Sequence, residues 1–212
     1  MINTKSNNTR EIATIAFKLL VICSIVAVIV AFVNFITKDK IIFNEKQNTA
    51  HALTEIYAQD YTNGFEVSGD SFIITENGNV VLTCSQKSFD FSSKDVKALY
   101  VLENADSEIE GYCISVQPMG FKDYIKMLVA INPDSTVKGV KIVSMAETSG
   151  IGTKAGEAAF LDKFIGLNES CVMRDVDTIS GATKTSAPVI EAVAASLREV
   201  TQYIAKIGGE AK

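Results

Sequence analysis

Asp177-Thr178-Ile179-Ser180-Gly181-Ala182-Thr183-Lys184-Thr185 runs directly into Ser186-Ala187-Pro188 and then into apolar residues at helical spacing, Val189, Val193, Leu197, Val200 and Ile204. That spacing predicts a helix from near Ser186 to near Ile207. Hydroxyls ahead of a helix cap its free amides, and a proline in the first turn loses no hydrogen bond. A helix N-terminus also attracts anions through its dipole and unpaired N–H groups. The stretch therefore reads in two ways. It is an ordinary capped turn, or it is a turn that presents Ser180, Thr183 and Thr185 with backbone amides where a phosphate can sit. On physical grounds alone the capped turn is the commoner of the two.

Upstream lies a second glycine-containing loop, Glu147-Thr148-Ser149-Gly150-Ile151-Gly152-Thr153-Lys154. Its two glycines allow close approach of the backbone to a flat ligand. Phe160, Leu161, Phe164 and Ile165 then have helical spacing, with Gly166 placed to end the helix. Before the loop the pattern is that of strands. Phe72–Ile74 and Val80–Leu82 flank Glu76-Asn77-Gly78-Asn79, and an Asn-Gly pair between apolar runs is a strong hairpin indicator. Val96–Leu102 and Tyr112–Val116 follow. Residues 123–131 turn through Asn132-Pro133-Asp134-Ser135 into Val137–Val143. The fold class expected is α+β, a twisted antiparallel sheet with its helices to one side.

The mean hydropathy is positive, and one segment accounts for it. From Leu19 to Ile36 there is no charge and a single polar amide, Asn34. As a helix that run spans roughly 27 Å at 1.5 Å per residue, against about 30 Å of bilayer hydrocarbon. The expectation is one retained membrane helix over residues 12–37, after a polar and unstructured tail at 1–11. A connecting helix and loop would occupy 38–66, and a folded domain 67–212. The run is too long for a cleaved signal peptide and lacks a small-residue cleavage site. Cys23 and Asn34 are candidates for contacts with other membrane helices.

Net charge is −5, and no basic cluster is present, which argues against a nucleic-acid partner. Of the four cysteines, Cys23 lies in the span, and Cys84, Cys113 and Cys171 are scattered without a C-x-x-C pair. No disulfide framework is implied. His51 is the single histidine, with no cysteine near it in sequence, so no metal site is expected. Walker A, G-x-S-x-G and G-x-G-x-x-G motifs are absent.

The run D-x-x-S-G-A-T-x-T, matched at Asp177, Ser180, Gly181, Ala182, Thr183 and Thr185, resembles the flavinylation motif of the FMN-binding domain family. That family includes the G subunit of the Rnf electron-transport complex and the C subunit of the sodium-pumping NADH:quinone reductase. Glu147, Thr148, Gly150 and Gly152 resemble its E-T-x-G-x-G loop, with Ile151 between the two glycines. Met145 and Ser149 stand where the family usually has His and Pro. The turn from Met127 through Asn132 to Val140 resembles its two-strand core.

The resemblance implies FMN held by a phosphoester to Thr185. Ser180, Gly181, Ala182, Thr183 and Lys184 would lie around the phosphate, with Asp177 beside them in a backbone-capping or transferase-recognition role, and Glu147, Thr148, Gly150, Ile151 and Gly152 by the ring. No residue is expected to be catalytic, because Thr185 accepts a modification made by a separate flavin transferase. Other implied partners are the membrane lipid and the membrane subunits of an Rnf-type complex, which couples ferredoxin:NAD electron flow to ion translocation. The N-terminus would be cytoplasmic and the flavin domain extracytoplasmic. The C-type quinone-reductase subunit, a stand-alone flavinylated cell-surface reductase and an anchored scaffold without flavin are the other readings.

Overall fold

A computed structural model describes the backbone of residues 4–210 and the side chains of residues 11–208. The chain divides into one unit up to Glu45 and a second from Lys46 onward.

The first unit is helical throughout its described residues, as the greater part of α1 (Thr4–Tyr57). The expected loose tail at 1–11 is therefore helical from Thr4 on, and Met1–Asn3 lie outside the described residues. The reason is the absence of any glycine or proline before Gly64. A helix once nucleated extends cheaply until a breaker stops it. From Glu11 onward α1 is long and apolar enough to cross a membrane. Every residue from Glu11 to Glu45 is exposed, including Val26, Phe32 and Phe35. Ser24 Oγ and Thr37 Oγ1 donate back to the carbonyls of Leu20 and Val33, each at 2.8 Å. Such back-bonding hides hydroxyls where water is absent.

The second unit begins with the end of α1 and continues as a seven-stranded antiparallel sheet in sequential order. Its strands are β1 (Glu66–Ser68), β2 (Ser71–Glu76), β3 (Asn79–Lys87), β4 (Val96–Asn104), β5 (Ile109–Val116), β6 (Lys126–Ile131) and β7 (Val137–Ser144). The β2–β3 turn has positive φ at Asn77 (51°) and Gly78 (81°), as a two-residue hairpin of this hand requires. β1 is too short to have shown a period in the sequence.

Side chains of successive residues point to opposite faces of the sheet. One face takes Val101, Ile114, Met127 and Val129; the other takes Leu102, Cys113, Leu128 and Ala130. The sequence leads one to expect helices on one side only, and the structure covers both. Ala50, Leu53 and Tyr57 of α1 close one face. On the other face lie α2 (Ala158–Leu161), α3 (Glu169–Asp175) and α4 (Thr183–Glu210). This explains why β6 is buried from Met127 to Ile131 without alternation.

The helix expected around Phe160–Ile165 is a single α-turn followed by a 3₁₀ turn, Asp162–Phe164. Those tighter turns still bury Phe160, Leu161 and Phe164, and Gly166, at φ 78°, ends them. The spacing of apolar residues gave no sign of α3, which is capped by the Asn168 side chain accepting from Cys171 N at 3.1 Å.

Candidate functional site

The helix after the motif starts three residues earlier than its apolar spacing predicts. α4 begins at Thr183, so the motif's last three residues form its first turn, and Pro188 lies inside the helix. Gly181, at φ 79°, reverses the chain just before it. Ala182 O accepts from Thr185 N (3.0 Å) and Ser186 N (2.9 Å). Ser186 Oγ donates to Ala182 O (3.1 Å) and accepts from Ile179 N (2.9 Å). Ser186 therefore fastens the turn to the helix by its side chain, a closure that spacing alone does not reveal.

The two glycine-containing loops meet. Glu147, Thr148, Ile151 and Gly152 from one, and Gly181, Ala182, Thr183, Lys184 and Thr185 from the other, line a cavity of about 390 Å³. That volume lies within the range usual for small-ligand sites, roughly 300–1,000 Å³. Asp177 and Ser180 do not line it, and neither does Gly150 at the exposed tip of its loop. The three hydroxyls of the motif are thus separated. Thr185 is 2% exposed at the cavity, Thr183 is exposed at its lining and Ser180 lies outside it.

Thr185 Oγ1 donates to Glu147 Oε2 at 3.0 Å, and Glu147 Oε1 accepts from Lys122 N, also at 3.0 Å. Room for this carboxylate comes from two glycines. A Cβ on Gly152 would stand 2.8 Å from Glu147 Oε2 and 3.1 Å from Thr185 Oγ1, and one on Gly120 would collide with Glu147 Oε1. Close approach is therefore needed at Gly152, but it serves a side-chain pair within the protein. At Gly181 the space is open and only the backbone angle calls for glycine.

Phe121 lines the cavity too, although no motif pointed to it. It sits on the Gln117–Ile125 turn, which is pinned by Gly120 N to Asp123 O and Ile125 N to Pro118 O, each at 2.9 Å. Phe121 is 58% exposed, Ile151 is 51% exposed, and Lys184 Nζ lies 5.7 Å from the Phe121 ring centre. The cavity therefore has apolar side chains for a flat ring. Thr183 and Lys184 of its lining belong to the first turn of α4, whose amides a helix leaves without intrahelical partners. With the Lys184 ammonium, this donor set suits a phosphate.

A larger hollow of about 520 Å³ between α3 and α4 is lined by Ser135, Asn168, Met173 and Thr201 among others. It is bridged by the Arg198–Glu169 ion pair (2.8 Å) and contains none of the residues picked out from sequence. No cluster of three or more metal-ligating side chains occurs among the described residues.

Residues 120–198 match the FMN-binding domain family, and that match takes in both cavity loops, Phe121 and most of α4. That stretch of the chain is thus similar to an FMN-binding domain. Among its relatives is the G subunit of the ion-translocating oxidoreductase complex from Methanosarcina acetivorans, 24% identical over 88% of this chain and 93% of that protein. The corresponding protein of Haemophilus influenzae is 27% identical over 80% of this chain and 79% of its own length. The G subunit of the proton-translocating ferredoxin:NAD(+) oxidoreductase complex of Clostridium ljungdahlii is 27% identical over 50% of this chain. That alignment spans 62% of the clostridial protein. Among solved structures, the C subunit of the Na(+)-translocating NADH-quinone reductase from Parabacteroides distasonis is 18% identical, with a TM-score of 0.44 over 76% of this chain and 90% of that one. The resemblance read from the motif is thereby borne out.

Proposed function

We propose that this protein is the flavin-carrying G-type subunit of an Rnf-type complex, with FMN joined through its phosphate to Thr185. The observation that carries this is the meeting of both loops in one cavity with Thr185 in its lining. A phosphoester there would leave one negative charge beside the first-turn amides and Lys184, which favour an anion. Phe121 and Ile151 would flank the ring. FMN, once bound, supplies one- and two-electron transfer, and the protein's part is to hold and shield it. A covalent link keeps the cofactor on a domain that cannot draw on cytosolic FMN.

The rest of the chain fits a subunit rather than a complete enzyme. The apolar part of α1 would anchor it in lipid, with the N-terminus cytoplasmic and residues 67–212 extracytoplasmic. Ferredoxin and NAD would be handled by partner subunits, and ion translocation would belong to the complex. The names of the relatives favour the G-type reading over the C-type quinone-reductase subunit and over a stand-alone reductase.

The test is flavin fluorescence in the denatured protein band after co-expression with a flavin transferase. Fluorescence is expected in the wild type and not in Thr185→Val. A dark wild-type band, or a Thr185→Val band as bright as wild type, would overturn the assignment.

A further inference from the structure

The Thr185 hydroxyl is a poor nucleophile while it holds its proton, and a general base must lie within about 2.6–3.2 Å to take it. Among the hydrogen bonds of the described residues, Thr185 Oγ1 donates to a carboxylate, Glu147 Oε2, at 3.0 Å. Both side chains are buried, at 2% and 9% exposure, and both line the cavity. The other carboxylate oxygen is fixed by Lys122 N at 3.0 Å, so Oε2 stays turned to the hydroxyl. This is the nucleophile, base and orienting-group arrangement of activated hydroxyls. Gly120 and Gly152 leave the space into which the carboxylate fits, one against each oxygen. A Cβ on either glycine would meet this carboxylate before any other neighbour. A salt bridge does not account for it, because none of the ion pairs found among the described residues involves Glu147.

We infer that Glu147 is the base for the protein's own modification, taking the Thr185 proton as the flavin phosphate is attached. The inference rests on the proposed function. The phosphorus must arrive as an anhydride, because a phosphate monoester offers no adequate leaving group. In the step, Thr185 Oγ1 forms a bond to the flavin-bearing phosphorus of a flavin dinucleotide. The P–O bond of the pyrophosphate breaks, the nucleoside monophosphate departs with that electron pair, and the hydroxyl proton passes to Glu147 Oε2. No oxidant or reductant is needed. The transferase then has to supply the activated flavin and stabilise the leaving group, while the acceptor protein contributes the base.

The experiment uses the full chain in detergent, purified without flavin and mixed with a flavin transferase and flavin adenine dinucleotide. Attachment is followed by fluorescence of the denatured band and by release of AMP. Glu147→Gln keeps the size and an acceptor oxygen but cannot take the proton, so its attachment should slow by about 10²-fold or more. In Glu147→Ala, added formate should restore a large part of the rate by entering the vacated space, a rescue that a purely structural role would not show. Thermal unfolding of each variant establishes that it is folded. A Glu147→Gln variant that attaches flavin at the wild-type rate, or a Glu147→Ala variant indifferent to formate, would overturn the role of Glu147 and leave Thr185 as the acceptor. Failure of the wild type itself to label would overturn both.

Discussion

The two faces of the sheet are built from the same strands and do different work. On the face closed by the end of α1, Leu53, Leu82, Cys84, Leu102 and Cys113 are all at 0% exposure, and the side chains are nearly all apolar. The opposite face is equally dense around Phe164, Val189 and Leu197, yet at its margin it admits Glu147 and Thr185, two buried polar groups in contact. A buried polar pair contributes little net stability even when satisfied. The proposed site lies at that margin, and the sealed face supplies stability without one. Substitutions on the two faces should therefore separate cleanly between flavin attachment and folding.

The sharpest break in that comparison is expected at Gly152. Gly152→Ala removes neither Thr185 nor Glu147 but places a methyl against both. Displacing such a pair by about 1 Å is enough to lower the rate of attachment by on the order of 10²-fold. Time courses of fluorescence labelling measure this, and an unchanged rate would show that the close approach is irrelevant. On the sealed face, Leu53→Ala should cost about 2–5 kcal/mol of stability, as cavity-forming core substitutions do, while the folded fraction still takes up flavin fully. Urea unfolding and labelling stoichiometry together test that pair of outcomes.

A smaller effect is expected at Gly181. Its φ of 79° penalises any side chain, but the space beside it is open. Gly181→Ala should cost about 1–2 kcal/mol through the left-handed backbone and slow attachment less than Gly152→Ala. If Gly181→Ala proved the more damaging to attachment, open space there would be the requirement after all.

The mildest outcome concerns the sealed face at high pH. Burial pushes the Cys113 thiol up to about 12 from an ordinary 9.0 and raises Cys84 well above its ordinary value. Burial likewise raises the Tyr100 phenol to about 12. A group whose folded value is raised favours folding fully below the unfolded value only when its protonated form is the one the fold prefers, as it is for these neutral thiols and this phenol. That contribution is lost as pH climbs from the unfolded value towards the folded one. The melting temperature should hold up to about pH 9 and fall as pH rises from 9 towards 12. In the folded protein a thiol reagent should reach Cys171, which is partly exposed, before Cys84 or Cys113. Equal reactivity of all three would contradict the sealed core.

Much of the fold was legible because its indicators are local. Asn77-Gly78 fixes a hairpin by backbone angle, Leu19–Ile36 is too apolar for water, and the strand runs carry their own period. Elements with few residues or no period were not legible, namely β1 and the seven-residue α3. The start of α4 was misplaced because Thr183 and Thr185 are poor helix formers by composition. Their first turn is held by Ser186 and Ala182 instead. For the site, residue types and the two loops could be read from sequence, and nine residues so named line one cavity. Phe121 could not, since an aromatic in an irregular turn follows neither a helical nor a strand period.

The sequence by itself determined the apolar helix, the antiparallel sheet and the hydroxyl-rich motif ending at Thr185, because each depends on residues near one another along the chain. Only the tertiary structure decided that both sheet faces are covered, that Ser180 and Asp177 stand outside the cavity, and that Glu147 meets Thr185 across 38 residues of chain. That contact depends on two glycines, Gly120 and Gly152, brought against one carboxylate from separate loops. Spacing along a chain does not encode such a meeting, since it arises only when α4 has packed across β4, β5 and β6 and its first turn reaches the loop after β7.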